Sequence, residues 1–380
     1  MMPETEPDGP GDSTTQWLHG LLKETVKRGA SDLFLKTGSA PCLRVDGPVF
    51  FSNSEPVSGA TMERVAQCLL PDGMQGFQDS GEVDLAYEVE DVGRFRVNVF
   101  HQRNTISAAF RYIPHDIPDF EELNLPAEQL QHLASQTSGL VLVTGVTGSG
   151  KSTTLAAMVD YMNDKFRRHI ITIEDPIEFA HEDRKCLVEQ REVGTDTATF
   201  GSALKHVVRQ SPDVILIGEM RDRETIETAI NAAEIGHLVL STLHTGNATQ
   251  TLERMISYFP PHQHDLVRMQ LSSTMQGILS QQLLQRADGE GRIPALEIMM
   301  RAPTICELIH KGRTYELSRA MSEDTYYGNL TYHESLAALY RDGVVTMEDA
   351  LAASPRPQEL KNRLQGLETG GGTAGFRQGS

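Results

Sequence analysis

The sequence is short of positive charge. Its 380 residues include 34 Lys and Arg against 52 Asp and Glu, which gives a formal net charge of −18. Proteins that bind nucleic acid through its phosphates present basic patches, often interleaved with aromatic residues. Because no such pattern is visible, the sequence argues against a general polyanion binder, and we expect no nucleic-acid partner.

Cysteine pairs, fixed-period repeats and long apolar runs are also lacking. The four cysteines lie far apart and form no CxxC pair, so neither a zinc cluster nor a disulfide framework is indicated. No stretch approaches the ~18 apolar residues of a membrane span. The acidic residues 1–15 lack the basic and apolar segments of a signal peptide. We therefore expect a cytosolic protein with no membrane span.

What is present is an ordinary globular composition, with 39% hydrophobic and 23% charged residues. This length is typical of about two domains, and a Pro-rich segment at 112–126 predicts a linker between them. Both termini are poor in apolar residues, which predicts disorder. The predicted organisation is a disordered tail (1–15), an amino-terminal domain (16–114), a linker (115–125), a carboxyl-terminal domain (126–365) and a second disordered tail (366–380).

Alternating apolar and polar residues predict half-buried antiparallel strands in the amino-terminal domain, after one helix that starts at Gln16. On one strand Arg94, Arg96 and Asn98 share the exposed face, and Arg111 lies near the end of the next strand. A solvated polar face is the ordinary explanation of such residues, so their role stays open at this point.

The carboxyl-terminal domain contains short apolar runs that are separated by helical stretches. This arrangement is typical of buried parallel strands in an α/β fold. The runs are Leu140–Thr144, Ile170–Ile173, Val214–Ile217 and Leu238–Leu243.

A complete phosphate-binding motif follows the first of these runs. Residues 145–152 read GVTGSGKS and match G-x-x-x-x-G-K-[ST] between a predicted strand and a predicted helix. In such a P-loop, backbone N–H groups surround a phosphate, Lys151 reaches the β- and γ-phosphates, and Ser152 ligates Mg²⁺. The sequence therefore predicts a site for ATP and Mg²⁺. Its predicted binding residues are Gly145, Val146, Thr147, Gly148, Ser149, Gly150, Lys151, Ser152 and Thr153.

Carboxylates and histidines lie at the ends of the other runs. Glu219 follows residues 214–217, and because the usual preceding Asp is Gly218, we expect Glu219 to hold Mg²⁺, directly or through water, and to position water. Glu178 belongs to an acidic stretch that we expect to act in the active site. The alternative is that this stretch is a simple polar turn. His237 and His244 flank the last run; histidines are more often structural, but we expect phosphate sensing at both ends of such a core strand.

In this order the motifs resemble those of the secretion-type ATPases of bacterial type IV pilus machines, in particular the PilT/PilU retraction family. The likeness covers nearly the whole chain between the predicted tails. It rests on the stretches GASDLFLKTG (29–38), LRVDG (43–47), RFRVNVFHQRN (94–104), GLVLVTGVTGSGKSTTLAAM (139–158), ITIEDPIEF (171–179), QREVGTDT (190–197), DVILIGEMRDRETI (213–226) and GHLVLSTLHT (236–245).

The resemblance implies an α/β fold with a PAS-like α+β amino-terminal domain, a RecA-like P-loop ATPase domain and a helical carboxyl end. It also implies that six subunits form a ring. The family's arginine fingers come from the amino-terminal sheet and correspond to Arg96 and Arg111, with Arg94 as a further candidate.

The same resemblance assigns roles in the carboxyl-terminal domain. The family's Asp-box glutamate corresponds to Glu178, its Walker B glutamate to Glu219, and its His-box histidines to His237 and His244. The implied function is that of an ATP-hydrolysing hexameric motor that retracts type IV pili in twitching motility. Such a motor is cytoplasmic and associates peripherally with a platform protein of the inner membrane.

Several departures guide the choice within this superfamily. Pilus assembly and type II secretion ATPases usually carry an extra amino-terminal domain and a tetracysteine, neither of which fits this chain, so retraction is favoured. The stretch TICELIHK (304–311) keeps the apolar spacing of an AIRNLIRE-like helix but loses its Arg and Asn. Together with SDLF (31–34) and QRN (102–104), this favours a PilU-type accessory motor that works beside a PilT-type ATPase. The alternatives are an assembly or secretion ATPase, a RecA-like nucleic-acid motor and a non-catalytic nucleotide-binding partner.

Overall fold

The computed structural model describes residues 12–45, 47–70, 74–114 and 116–364. The chain divides into two compact units. One comprises the residues up to Asp116 together with Glu178–Ala180, and the other comprises Ile117–Ile177 and the residues from His181 onward. The division falls within the predicted linker 115–125. Phe120 is nevertheless buried in the core of the second unit, so this part of the segment is packed rather than extended.

The first unit is an α+β domain whose amino-terminal helix starts earlier than predicted. The helix begins at Asp12 instead of Gln16, and Thr14 is fully buried. Thr14 precedes the buried Leu18 by one helical turn, so it continues the buried face of the helix. The composition of residues 1–15 alone suggests a tail. The remaining predicted tail residues, 1–11 and 366–380, lie outside the described residues. The elements of this unit are α1 (Asp12–Lys27), β1 (Asp32–Lys36), β2 (Cys42–Arg44), β3 (Val49–Phe51), α2 (Gly59–Leu69), α3 (Met74–Ser80), β4 (Glu82–Val89), β5 (Gly93–Gln102) and β6 (Thr105–Ile113).

These strands form one antiparallel sheet in the order β3-β2-β1-β6-β5-β4. Residues of α1 and α2 share a hydrophobic core with the sheet. On β5, Phe95 and Val97 are buried in this core, while Arg94, Arg96 and Asn98 between and beside them are half-buried. The predicted alternation of this strand is therefore confirmed.

The second unit is built on a mostly parallel sheet. Its strand order is β13-β12-β7-β11-β10-β8-β9. The elements are α4 (Ala127–Ser135), β7 (Gly139–Thr144), α5 (Lys151–Lys165), β8 (His169–Glu174), β9 (Leu187–Glu192), α6 (Phe200–Val207), β10 (Val214–Ile217), α7 (Arg223–Glu234), β11 (Leu238–Leu243), α8 (Ala248–Ser257), α9 (His264–Thr274), β12 (Met275–Gln285), β13 (Arg292–Met300), α10 (Pro303–His310), α11 (Leu317–Glu323), α12 (Tyr332–Arg341), α13 (Met347–Ala353) and α14 (Pro357–Leu364).

The four predicted core strands are present and pair in parallel, with β7 and β10 on either side of β11. Their residues are apolar without alternation because both faces of the sheet are covered. One face packs on α6 to α11, and the other packs on α4 and α5. Among the residues that the structure describes, no helix combines the length and the apolar character needed to cross a membrane.

The hairpin of β12 and β13 extends the sheet beyond the strands that the sequence predicted. β12 pairs in parallel with β7, and β13 pairs antiparallel with β12. Residues of α12, α13 and α14 form a small core on this hairpin. The predicted helix at 304–311 is confirmed as α10, whose buried residues are Ile305, Leu308 and Ile309.

Candidate active site

The carboxyl ends of the parallel strands bring the predicted chemistry to one edge of the second unit's sheet. Thr144 at the end of β7 is paired with Leu243 at the end of β11. Ile217 at the end of β10 is paired with Ser241 of β11. The P-loop, Glu219 and His244 follow these strand ends directly. A crevice at this edge is where open α/β sheets bind their ligands.

The P-loop leads from β7 into α5 through Gly150, whose φ of 90° is left-handed. Lys151 is only 8% exposed, and its Nζ donates to the carbonyl oxygens of Gly145 and Val146, at 3.0 Å each. The ammonium group is therefore held inside the loop. Because the first N–H groups of a helix have no intrahelical acceptor, the start of α5 can bind an anion.

Glu219 is a partly buried carboxylate that faces the side chains of Arg221 and His244. Its Oε2 lies 2.8 Å from a terminal nitrogen of Arg221, and its Oε1 lies 3.3 Å from Nε2 of His244. Burial alone would raise the pKa of Glu219, but the hydrogen bond from Arg221 and the charge of His244 hold this pKa below its ordinary value. Glu219 is therefore ionised near neutral pH, in the state that can hold a metal ion or accept a hydrogen bond from water.

Gly218 explains why Glu219 has no acidic neighbour. A Cβ placed on Gly218 would lie 3.3 Å from the carbonyl oxygen of Ile173 and 3.4 Å from Cα of Glu174. Gly218 also donates its N–H to Ile173, at 2.8 Å. A side chain at position 218 would crowd the end of β8. Glu219 is therefore the first carboxylate after β10.

The structure separates the two predicted histidines. His244 follows β11 at the P-loop edge, whereas His237 precedes β11 at the opposite edge, where its Nδ1 lies 2.8 Å from the carbonyl oxygen of Pro212. A six-residue strand spans about 20 Å. Within one subunit His237 therefore lies away from the chain's own P-loop, because parallel strands present only their carboxyl ends there, and its role in phosphate sensing stays a prediction.

The other predicted residues belong to the first unit. Glu178 is exposed and is grouped with that unit. Arg96 of β5 lies directly opposite Arg111 of β6. Arg96 forms an ion pair with Asp84 at 3.7 Å, and Arg111 forms one with the buried Asp32 at 2.9 Å.

Arg96 and Arg111 remain accessible in these pairs, with exposed side-chain fractions of 41% and 68%. The neighbouring Arg94 lies opposite Glu88 of β4 and Ile113 of β6. The sheet therefore presents a pair of adjacent, preoriented arginines with Arg94 beside them.

Gln281 of β12 is a contact of the P-loop that the sequence did not indicate. It is 2% exposed and hydrogen-bonds with both Ser149 and Thr154. β12 contains four glutamines and no motif that distinguishes Gln281 from the others, so no local signal in the sequence could have found this contact.

Glu297 of β13 is a second buried polar residue that the sequence did not indicate. It accepts a hydrogen bond from the N–H of Ala248 at the start of α8, at 2.8 Å. Burial raises its pKa from 4.5 to about 7, and the hydrogen bond from Ala248 opposes this only in part. Between these two values the folded chain keeps a proton that the unfolded chain has lost, so stability falls as the pH rises through this window.

The free energy of unfolding of the parent should therefore fall as the pH rises from 4 to 8. In the Glu297→Gln variant we expect this fall to be smaller, by up to about 3 kcal/mol. The amide can still accept from Ala248 but never becomes charged. Urea unfolding at several pH values measures the difference. The matched control is Glu290→Gln in the exposed turn between β12 and β13. A stability difference between Glu297→Gln and the parent that does not change with pH would contradict the prediction.

Comparisons with known proteins agree with this geometry. The family model described as type II/IV secretion system protein matches residues 12–350. The type IV pilus ATPase PilU of Pseudomonas aeruginosa is 44% identical over 342 residues, which cover 90% of this chain and 89% of that protein. The type IV pilus retraction ATPase PilT of the same organism is 43% identical over 341 residues, which cover 90% of this chain and 98% of that protein.

A solved structure described as the pilus retraction motor PilT with bound ADP is 44% identical and has a TM-score of 0.83, covering 90% of this chain and 98% of that one. These relatives confirm the predicted resemblance, the α/β fold class and ATP hydrolysis as the activity. The chain is thus a member of the type II/IV secretion system family of ATPases, within the group that includes PilT and PilU.

Proposed function

We propose that this ATPase is a motor for type IV pilus retraction. The observation that carries the proposal is the P-loop lysine and the ionised Glu219 at one sheet edge, in a chain that is 44% identical to one pilus ATPase and 43% identical to another. We also propose the assembly that goes with this role, a homo-hexamer at the cytoplasmic face of the inner membrane that docks on a platform protein. The identities to PilU and to PilT are nearly equal, so they do not distinguish the accessory role from the PilT-type role. We propose the PilU-type accessory role.

ATP binds through the P-loop backbone and Lys151 in this mechanism. Lys151 neutralises charge on the β- and γ-phosphates, and the first turn of α5 directs its N–H groups at them. The Ser152 hydroxyl and the Glu219 carboxylate are oxygen donors of the kind that Mg²⁺ prefers, so these two residues would hold it. When bound, Mg²⁺ supplies neutralisation of the phosphate charge.

Glu219 orients the attacking water in the proposed reaction, and Glu178 is proposed as a further catalytic carboxylate. Glu219 is ionised and is held by Arg221 and His244, so it enters the reaction in a fixed position. His244 follows β11 and contacts the carboxylate of Glu219. From this position it can respond to the loss of the γ-phosphate. Hydrolysis then allows the two units to rotate about the segment 115–125, and this rotation drives the platform protein.

Arg96 and Arg111 stabilise the transferring phosphate of the neighbouring subunit. Support comes from their positions opposite each other on an antiparallel sheet and from their accessible guanidinium groups. A subunit therefore supplies a P-loop to one interface of the ring and arginines to the other.

A mixing experiment tests this division of the site. The Lys151→Ala chain lacks a working P-loop but keeps its arginines, whereas the Arg111→Ala chain has the reverse defect. Each variant alone should be nearly inactive. In rings formed from equal amounts, about one interface in four combines a sound P-loop with a sound Arg111, so ATPase activity should return to about a quarter of the parent value.

The matched control mixes Lys151→Ala with Glu219→Gln. Both of these residues lie on the P-loop side of the site, so no interface is restored and activity should stay at the background. Recovery in the control, or none in the Lys151→Ala and Arg111→Ala mixture, would show that the site is not shared in this way.

A further inference from the structure

We propose that Gln281 is a positioning residue for ATP binding, which fixes the P-loop against the first turns of α5. This inference rests on the proposed role of the P-loop as the nucleotide site. Gln281 lies on β12, directly after Ser280, which is paired with Thr144 at the end of β7. Its side chain therefore leaves the sheet at the level where the P-loop begins.

The hydrogen bonds of Gln281 have a defined direction. The carbonyl oxygen of Ser149 can only accept, so it is Nε2 of Gln281 that donates to it, at 2.6 Å. Oε1 of Gln281 must then accept from the hydroxyl group of Thr154, at 3.0 Å. One amide group thus joins the last part of the loop to the first turn of the helix, on either side of Lys151.

The main chain of β12 also lies close to the loop. A Cβ on Gly145 would be 2.3 Å from the carbonyl oxygen of Gln281, and a Cβ on Gly150 would be 3.0 Å from its Nε2. Gly145 and Gly150 are therefore required partly by this strand, in addition to their role at the phosphate. The first and last glycines of the loop are both held against one residue.

The direction of the loop N–H groups follows from this bridge. These groups bind phosphate only if they point at a common centre, and the angle between the loop and α5 sets where they point. Both bonds of the bridge are made to protein atoms and need no contact with the phosphates, so the bridge lowers the entropy that binding must remove from this segment. Without the amide, Ser149 and Thr154 lose a buried partner and the loop can adopt other conformations.

The test compares Gln281→Met, which keeps the length of the side chain without its polar atoms, with the parent chain. We expect the KM for ATP and the Kd of a non-hydrolysable ATP analogue to rise by about 10-fold or more. We expect kcat at saturating ATP to change by less than about 3-fold, because bound ATP restores the loop geometry. Gln285→Glu, at an exposed site on the same strand, is the matched control and should keep the parent values.

The partner residue provides a second route if Gln281→Met does not fold. Thr154→Val removes the hydroxyl that donates to Oε1 and should also raise the KM, whereas Thr154→Ser keeps the donor and should raise it less. In the double variant of Gln281→Met with Thr154→Val, the two effects on the Kd should be less than additive.

An unchanged KM and Kd in a folded Gln281→Met chain, or a fall in kcat without a rise in KM, would overturn the proposal. Neither outcome touches the proposed function, which depends on Lys151→Ala and on the mixing experiment. If Lys151→Ala retains turnover, the P-loop is not the site, and the role of Gln281 falls with it.

Discussion

Replacing Lys151 with alanine is expected to lower ATP turnover by at least about 100-fold. Its ammonium group lies beside two loop carbonyls and is shielded from solvent. A cation that the protein keeps inside the loop, away from water, contributes most to turnover where phosphate charge develops. The variant should also bind a non-hydrolysable ATP analogue more weakly, because both phosphate groups lose a contact.

The control for this prediction is Lys165→Ala, at the other end of the same helix. Lys165 is exposed and forms an ion pair with Asp164, so its loss should leave turnover unchanged. Steady-state phosphate release measures both variants, and thermal unfolding shows whether each chain is folded. Turnover within about 2-fold of the parent in a folded Lys151→Ala chain would refute the assignment of the P-loop as the site of hydrolysis.

Replacing Glu219 with glutamine should have an effect of similar size on turnover, about 100-fold or more, but a different effect on binding. The amide has nearly the same shape, so the contacts with the surrounding residues are largely kept. It carries no charge, however, and cannot accept a proton from the attacking water. The ATP analogue should therefore still bind, and the variant should hold ATP without hydrolysing it.

Glu227→Gln is the matched control, since Glu227 is an exposed glutamate on α7 that is paired with Arg223. It should retain the parent rate. A Glu219→Gln chain that hydrolyses ATP normally would exclude Glu219 as the catalytic carboxylate. A chain that no longer binds the analogue would show that Glu219 acts mainly through binding, which contradicts its proposed role in the reaction.

The parts of this fold that could be predicted are those in which neighbouring residues carry the information. The P-loop is a continuous motif, and the core strands are apolar throughout because helices cover both faces of the sheet. Start and end points of β10 and β11 are the predicted ones. The alternation of β5 was equally clear, since one face is buried and the other is not.

The parts that were missed depend on contacts between distant segments. Gln281 of β12 and Glu297 of β13 are buried polar residues that make sense only beside Thr154 and Ala248. The crowding at Gly218 depends likewise on the position of β8. That His237 lies away from the chain's own P-loop could have been predicted, since the two ends of a strand cannot reach the same phosphate.

The acidic side chains that accompany the arginines act as internal counterions. Arg96, Arg111 and Arg221 each have a carboxylate within 4 Å, as do others on this acidic chain. Where such an arginine meets ATP, it exchanges one anionic partner for another, and few ions are released into solution. The affinity for ATP should therefore depend less on ionic strength than it would if the same arginines were neutralised by mobile salt. Such a motor can bind ATP with nearly constant affinity across the range of salt concentrations that a cell encounters.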